Sequence, residues 1–161
     1  MIETLELATN IVDKLNALGQ SVGTTESCTG GLVASSIVDV AGASGCFNEG
    51  YITYSNEAKH KLLGVSNEIL LSFGAVSEEC AKAMAEGARI NTNSDYGVAT
   101  TGIAGPEGGT KDKPVGLVYI ACATCDNTIV EKHIFTGDRL SVRCQAATRA
   151  LELLNSCIRE N

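Results

Sequence analysis

The chain has no tryptophan, only three phenylalanines and four tyrosines, two prolines and two histidines among 161 residues. With aromatics at 4% there is no stacking platform for the bases of a single-stranded nucleic acid. The formal net charge of −7 removes the phosphate-neutralising surface that supplies most affinity for duplex DNA or RNA. A small anionic ligand needs only a few local donors and stays open. Apolar runs long enough for a membrane span are missing. The first residues, Met1 to Leu7, carry Glu3 and Glu6 and no basic region ahead of an apolar stretch, so no export signal is expected. Two histidines, His60 and His133, are too few for a zinc site, and neither has an evident carboxylate partner for a triad.

Cysteine is the exception to this scarcity, but its seven copies form no disulfide framework. Their number is odd and their spacing irregular, so reduced thiols of a cytoplasmic protein are expected. Cys122 and Cys125 form the only C-x-x-C. Residues three apart on a strand face opposite sides, which speaks against a shared metal.

What remains is an ordinary globular balance, 44% hydrophobic and 19% charged, in a length suited to one domain over residues 1–161. Ile2, Leu5, Ala8, Ile11, Val12, Leu15 and Leu18 recur at helical spacing, and Gly19 stops the pattern. Ser21 to Thr25 reads as a strand, and a helix is expected from Thr29 or Gly30 towards Gly42. Gly50 to Tyr54 reads as a strand, and Ser55 as the N-cap of a helix stopped at Gly64. A short helix over 66–73 and one capped by Ser77 follow. Tyr96 to Thr101, Val115 to Thr124 and Thr128 to Phe135 are strand candidates, with a glycine-rich loop over 102–114. A last amphipathic helix starts near Asp138. Strands alternating with helices, then a hairpin-like pair and a helix, predict a three-layer α/β/α domain with a mixed sheet.

Four clusters could carry chemistry. In Thr25-Glu26-Ser27-Cys28-Thr29-Gly30-Gly31 a short strand runs into hydroxyl and small residues and then a helix. By spacing this is either an ordinary capped turn or a place where an oxyanion or phosphate meets the main chain. It is neither a P-loop nor a G-x-S-x-G elbow. A serine with no histidine needs another base, and lysine serves if its pKa falls. Lys59 sits in the first turn of the helix capped by Ser55, where the dipole disfavours an ammonium, and Tyr54 can project towards the same space. Thr101, Gly102 and Gly105 belong to a strand that ends in a glycine loop, a usual place for ligand contacts. Arg139 and Arg143 share one face of the last helix and suit a phosphate, or an ion pair with Glu131 or Asp138. Cys28, beside Ser27, is a rival nucleophile if the helix end lowers its pKa.

In this order, six strings resemble the CinA C-terminal domain family: Thr25 to Gly31, Tyr54 to Lys59, Gly74 to Glu78, Thr101 to Pro106, Lys113 to Gly116 and Gly137 to Arg139. Thr100-Thr101 stands where serines are common in that family and keeps the hydroxyl. The resemblance implies an α/β/α amidohydrolase that converts nicotinamide mononucleotide to nicotinic acid mononucleotide and ammonia without metal or cofactor. It implies Ser27 as nucleophile, Lys59 as base and Tyr54 as supporting hydroxyl. Thr29, Gly30, Gly31, Thr101, Gly102 and Gly105 would line the substrate site, with Arg139 or Arg143 on the phosphate. It also implies a stand-alone, homo-oligomeric form, a dimer as first expectation. A non-catalytic nucleotide-binding module and a competence-associated interaction module of the same fold are the alternatives.

Overall fold

The computed structural model describes residues 2–159, with side chains from residue 4. Met1, Glu160 and Asn161 lie outside it, as does the side chain of Ile2, which the helical pattern above includes. The elements run α1 (Ile2–Leu18), β1 (Val22–Glu26), α2 (Leu32–Val38), β2 (Phe47–Ile52), α3 (Asn56–Leu63), α4 (Asn67–Ser72), α5 (Glu78–Asn91), β3 (Tyr96–Gly102), β4 (Leu117–Ala123), β5 (Thr128–Ile134) and α6 (Arg139–Cys157).

The strands form one mixed sheet in the order β2-β1-β3-β4-β5. β1 pairs parallel with β2 and β3, while β3–β4 and β4–β5 are antiparallel. Period-two alternation sends neighbouring side chains of each strand to opposite faces. Val98, Val118, Ile120 and Cys122 pack under α1, α2 and α6, with Ile11, Leu15, Ile37, Leu151 and Leu154. Ala99, Ala121 and Ala123 face α3 to α5, with Leu63, Met84 and Ala85. Small residues on this second face let α5 lie close to the sheet. At Gly97 a Cβ would overlap the Ala85 carbonyl oxygen. The three-layer α/β/α architecture with a mixed sheet is thus the one expected.

Capping residues behave as their types require. Ser55, Ser66, Ser77 and Asp138 each accept an amide of the first turn of the helix that follows. Several boundaries differ from expectation: α2 ends at Val38 instead of running towards Gly42, β4 spans Leu117–Ala123 within the expected Val115 to Thr124, and the starts of β2 and α2 move. β2 begins at Phe47 rather than Gly50, because its partner β1 extends the ladder from Val22↔Phe47 to Glu26↔Ile52. α2 begins at Leu32 rather than Thr29 or Gly30, since Gly30 (φ +60°) and Gly31 (φ +102°) are left-handed and cannot belong to a right-handed helix.

β1 lies between two parallel partners, one reached through α2 and the other later in the chain. The strand order therefore reverses at β1, and in open α/β sheets the crevice beyond the carboxyl ends of strands at such a point is where ligands bind. Ser27, Thr53 and Thr101-Gly102 stand at the carboxyl ends of β1, β2 and β3.

Candidate active site

At those strand ends is a cleft of about 280 Å³ lined by Ser27, Cys28, Tyr54, Asn56, Lys59, Ala75, Val76, Thr101 to Gly105, Glu107, Gly108 and Arg139. Its centre is the meeting of Lys59 with Ser27. Lys59 lies in the first turn of α3 and its side chain runs back across the end of β2. Nζ donates to the Thr53 carbonyl (2.7 Å) and to Ser27 Oγ (3.0 Å). Lys59 is the largest of the fully buried side chains, 1% exposed. No carboxylate pairs with it among the described residues. Lysine is almost never so buried unless paired. Loss of hydration disfavours the ammonium and lowers the pKa of Lys59, with the Cys80 and Cys28 thiols acting weakly in the other direction. The pKa of Lys59 is thus lowered as expected, but by burial rather than by the helix dipole.

The turn that carries Ser27 is braced from two sides. Glu26, at the end of β1 and 1% exposed, turns its carboxylate into the turn. Oε2 accepts from Thr29 Oγ1 (2.6 Å), Gly31 N (2.9 Å) and Val33 N (3.1 Å), and Oε1 from Ala34 N (2.8 Å). From the other side, Arg143 Nε donates to the Cys28 carbonyl (3.0 Å) and Nη2 to the Thr29 carbonyl (2.8 Å). Thr29 Oγ1 also meets Thr100 Oγ1 at 2.7 Å, which ties the turn to β3.

These contacts sort the residues named from sequence. Ser27, Lys59, Tyr54, Thr101, Gly102, Gly105 and Arg139 converge on the cleft. Thr29, Gly30 and Gly31 do not line it: Glu26 takes the Thr29 hydroxyl and the Gly31 amide, and the Gly30 amide donates to the Ser27 carbonyl. Arg143 spends its guanidinium on main-chain carbonyls, whereas Arg139 reaches the cleft, donating to the Gly105 carbonyl (2.7 Å) and to Tyr54 Oη (2.9 Å). Tyr54 thus stands with Arg139, and no bond joins it to Ser27 or Lys59 among the described residues.

Glu131 bonds Arg149 and His133 instead of Arg139 or Arg143, and Asp138 caps α6. His133 does have a carboxylate partner, Glu131 at 2.8 Å, but both belong to edge strand β5. Cys28 is 5% exposed, and burial pushes its thiol up to about 11, opposite to the lowering expected of a helix end. Cys122 is buried in β4 while Cys125 is exposed beyond the strand.

Sequence reasoning missed Glu26, Thr53 and Asn56. For Glu26 a signal existed, a carboxylate just ahead of a glycine pair and an apolar helix start, which is a helix-capping pattern at unusual reach. For the Thr53 carbonyl none existed.

The sequence profile of the CinA C-terminal domain matches residues 4–158. This chain belongs to that family. A CinA-like protein of Kosmotoga olearia is 51% identical over 148 residues, which are 92% of this chain and 36% of that protein. The chain spans about a third of the length of the curated relatives it matches. Among solved structures, the competence/damage inducible protein CihA of Agrobacterium tumefaciens superposes with a TM-score of 0.93 at 41% identity, covering 95% of this chain and 94% of that one. A competence-damaged protein (CinA) superfamily protein of Enterobacter cloacae superposes with a TM-score of 0.91 at 32% identity, covering 95% and 91%. The CinA domain here thus shares its fold with proteins of nearly the same length. No helix among the described residues is long and apolar enough to cross a membrane.

Proposed function

We propose that this CinA domain is an amidohydrolase that cleaves the carboxamide of nicotinamide mononucleotide, releasing ammonia and nicotinic acid mononucleotide. The observation that carries the reading is the 3.0 Å contact between Ser27 Oγ and a buried lysine amine that has no carboxylate beside it. In its neutral form Lys59 keeps one N–H on the Thr53 carbonyl and turns its lone pair to Ser27.

The serine proton passes to Lys59 Nζ as Ser27 Oγ forms a bond to the carboxamide carbon, and the carbonyl π pair moves onto oxygen. As that oxygen's lone pair re-forms the carbonyl, the C–N bond breaks and the ammonium of Lys59 protonates the departing nitrogen. Water then attacks the acyl-enzyme, giving its proton to neutral Lys59, which returns it to Ser27. Arg139 is the cation for the nucleotide phosphate; binding would exchange its hold on Tyr54 and Gly105 for a bidentate contact. The direct contact of base and nucleophile makes a relay through Tyr54 unnecessary.

Ammonia release from nicotinamide mononucleotide, its riboside, the dinucleotide and free nicotinamide tests the reading. Preference for the mononucleotide and a loss of about 10³-fold or more in Ser27→Ala are expected. Tight binding of the mononucleotide with no ammonia would favour a nucleotide-binding module instead.

A further inference from the structure

At the opposite end of the sheet from the cleft, two thiols meet. Cys122 lies near the end of β4, opposite Val98 at the amino end of β3, and is fully buried. Cys157 is the last residue of α6 and is 5% exposed. Both belong to the first core, and the Cys122 thiol donates a hydrogen bond to the Cys157 sulfur. A disulfide needs two sulfurs that can close to about 2 Å, and sulfurs already in contact reach that by a small side-chain rotation.

Cys157 is the one of the pair that solvent reaches. It lines a surface hollow of about 210 Å³ together with Arg89, Tyr96, Cys125 and Arg159. The carboxyl end of a helix by itself disfavours a thiolate. Here the hydrogen bond from Cys122 lowers the pKa of Cys157 against its burial, with Ser156 and the Arg159 charge in support and Glu131 opposed. The same contact, with burial, raises Cys122. Burial likewise raises Cys28, Cys46 and Cys80. A thiolate open to solvent with a second thiol against it is what a peroxide oxidises, whereas buried thiols of raised pKa are inert.

We propose that Cys157 and Cys122 form an oxidisable dithiol, in which a hydroperoxide entering from the hollow oxidises Cys157 and Cys122 then closes the pair to a disulfide. The Cys157 thiolate attacks one peroxide oxygen. An S–O bond forms, the O–O bond breaks, and the leaving hydroxide takes up the proton that Cys157 gave to solvent. The Cys122 sulfur then attacks the sulfenic acid of Cys157. The S–S bond forms, the S–O bond breaks, and the Cys122 proton leaves with the hydroxyl as water. Two thiols lose two electrons and one peroxide gains them. The disulfide ties α6 to β4 across about 35 residues of chain, far from Ser27, so the inference does not depend on the amidase reading. A disulfide made on demand is also consistent with cysteines that are otherwise reduced.

The test uses hydrogen peroxide on the wild type and on Cys125→Ser/Cys144→Ser, which lacks the exposed thiols. After alkylation and non-reducing digestion, mass spectrometry should find Cys122 joined to Cys157 in both proteins, and Cys28, Cys46 and Cys80 alkylated. The oxidised protein should melt about 5–15 °C higher, and dithiothreitol should reverse the shift. Cys122→Ala removes the resolving thiol, so dimedone should then label Cys157 as a sulfenic acid.

Free Cys122 and Cys157 in a wild type whose Cys125 and Cys144 have been oxidised would overturn the proposal, as would a Cys125–Cys157 bond in place of the expected one. Should Cys122→Ala fail to fold, Cys157→Ser takes its place. Cys122 should then stay unoxidised, and a sulfenic acid on it would refute Cys157 as the attacking thiol.

Discussion

Replacing Glu26 with glutamine is a sharp test of what shapes the nucleophile turn. The side chain keeps its length and loses its charge and one acceptor. Oε2 accepts three hydrogen bonds and Oε1 one, so the amide oxygen of the new side chain would take the Oε2 position. Its NH2 group would then face the Ala34 N–H, donor against donor. The Ala34 N–H is half-buried, so leaving it unsatisfied costs the lower part of the usual range, about 1–2 kcal/mol, and three charge-assisted bonds become neutral ones at a few tenths to about 1 kcal/mol each. The sum is roughly 2–5 kcal/mol, a large share of the stability of an ordinary domain, about 5–15 kcal/mol. At about 2–4 °C per kcal/mol for a chain of this size, the midpoint of thermal unfolding should drop by roughly 4–20 °C. Circular dichroism at 222 nm measures it, with guanidinium titration as a second reading of the same difference. A Glu26→Gln protein that melts within about 1 °C of wild type would refute the reasoning, because the four bonds would then contribute nothing net. Glu26→Ala strands all four donors and should not accumulate as folded protein.

Lys59→Arg should lose nearly as much turnover as Ser27→Ala, since a guanidinium does not become a neutral base; ordinary ammonia release from it would place the base elsewhere. The pKa of Lys59 is lowered by burial, so the fraction of competent, neutral base grows as pH rises. The acid limb of kcat/KM should therefore lie below the ordinary lysine range, and a profile still rising steeply at the ordinary lysine pKa would contradict this. Arg139→Ala should raise KM for the mononucleotide by about 10- to 100-fold and hurt the riboside much less, a difference that parallel saturation curves reveal.

Much of the fold is legible in the residues because its causes are local. Ser55, Ser77 and Asp138 cap the helices they precede, and the alternation along β4 divides its side chains between the two cores. Ser27, Lys59, Tyr54 and Arg139 could be singled out by residue type and position next to an element end. What failed were features set by neighbours far along the chain. The start of β2 depends on how far β1 extends; the His133–Glu131 pair, two residues apart on one face of β5, is the local exception, accounted for by strand pleat. Cys28 sits at a turn that sequence reads as activating, yet packing against the first core makes burial the stronger influence.

The amino-acid sequence by itself determined the alternation of strands and helices, the family motifs, and a serine with no histidine to activate it. Those follow from periodicity, capping and the supply of side chains, which act within a few residues. Only the tertiary structure decided that the Lys59 amine lies 3.0 Å from Ser27, that Glu26 takes the Gly31 amide expected to face a ligand, and that Arg143 holds carbonyls while Arg139 enters the cleft. Each of these joins groups on different elements, and their meeting depends on strand order and register. A one-residue slip of a strand would turn every such side chain to the other face.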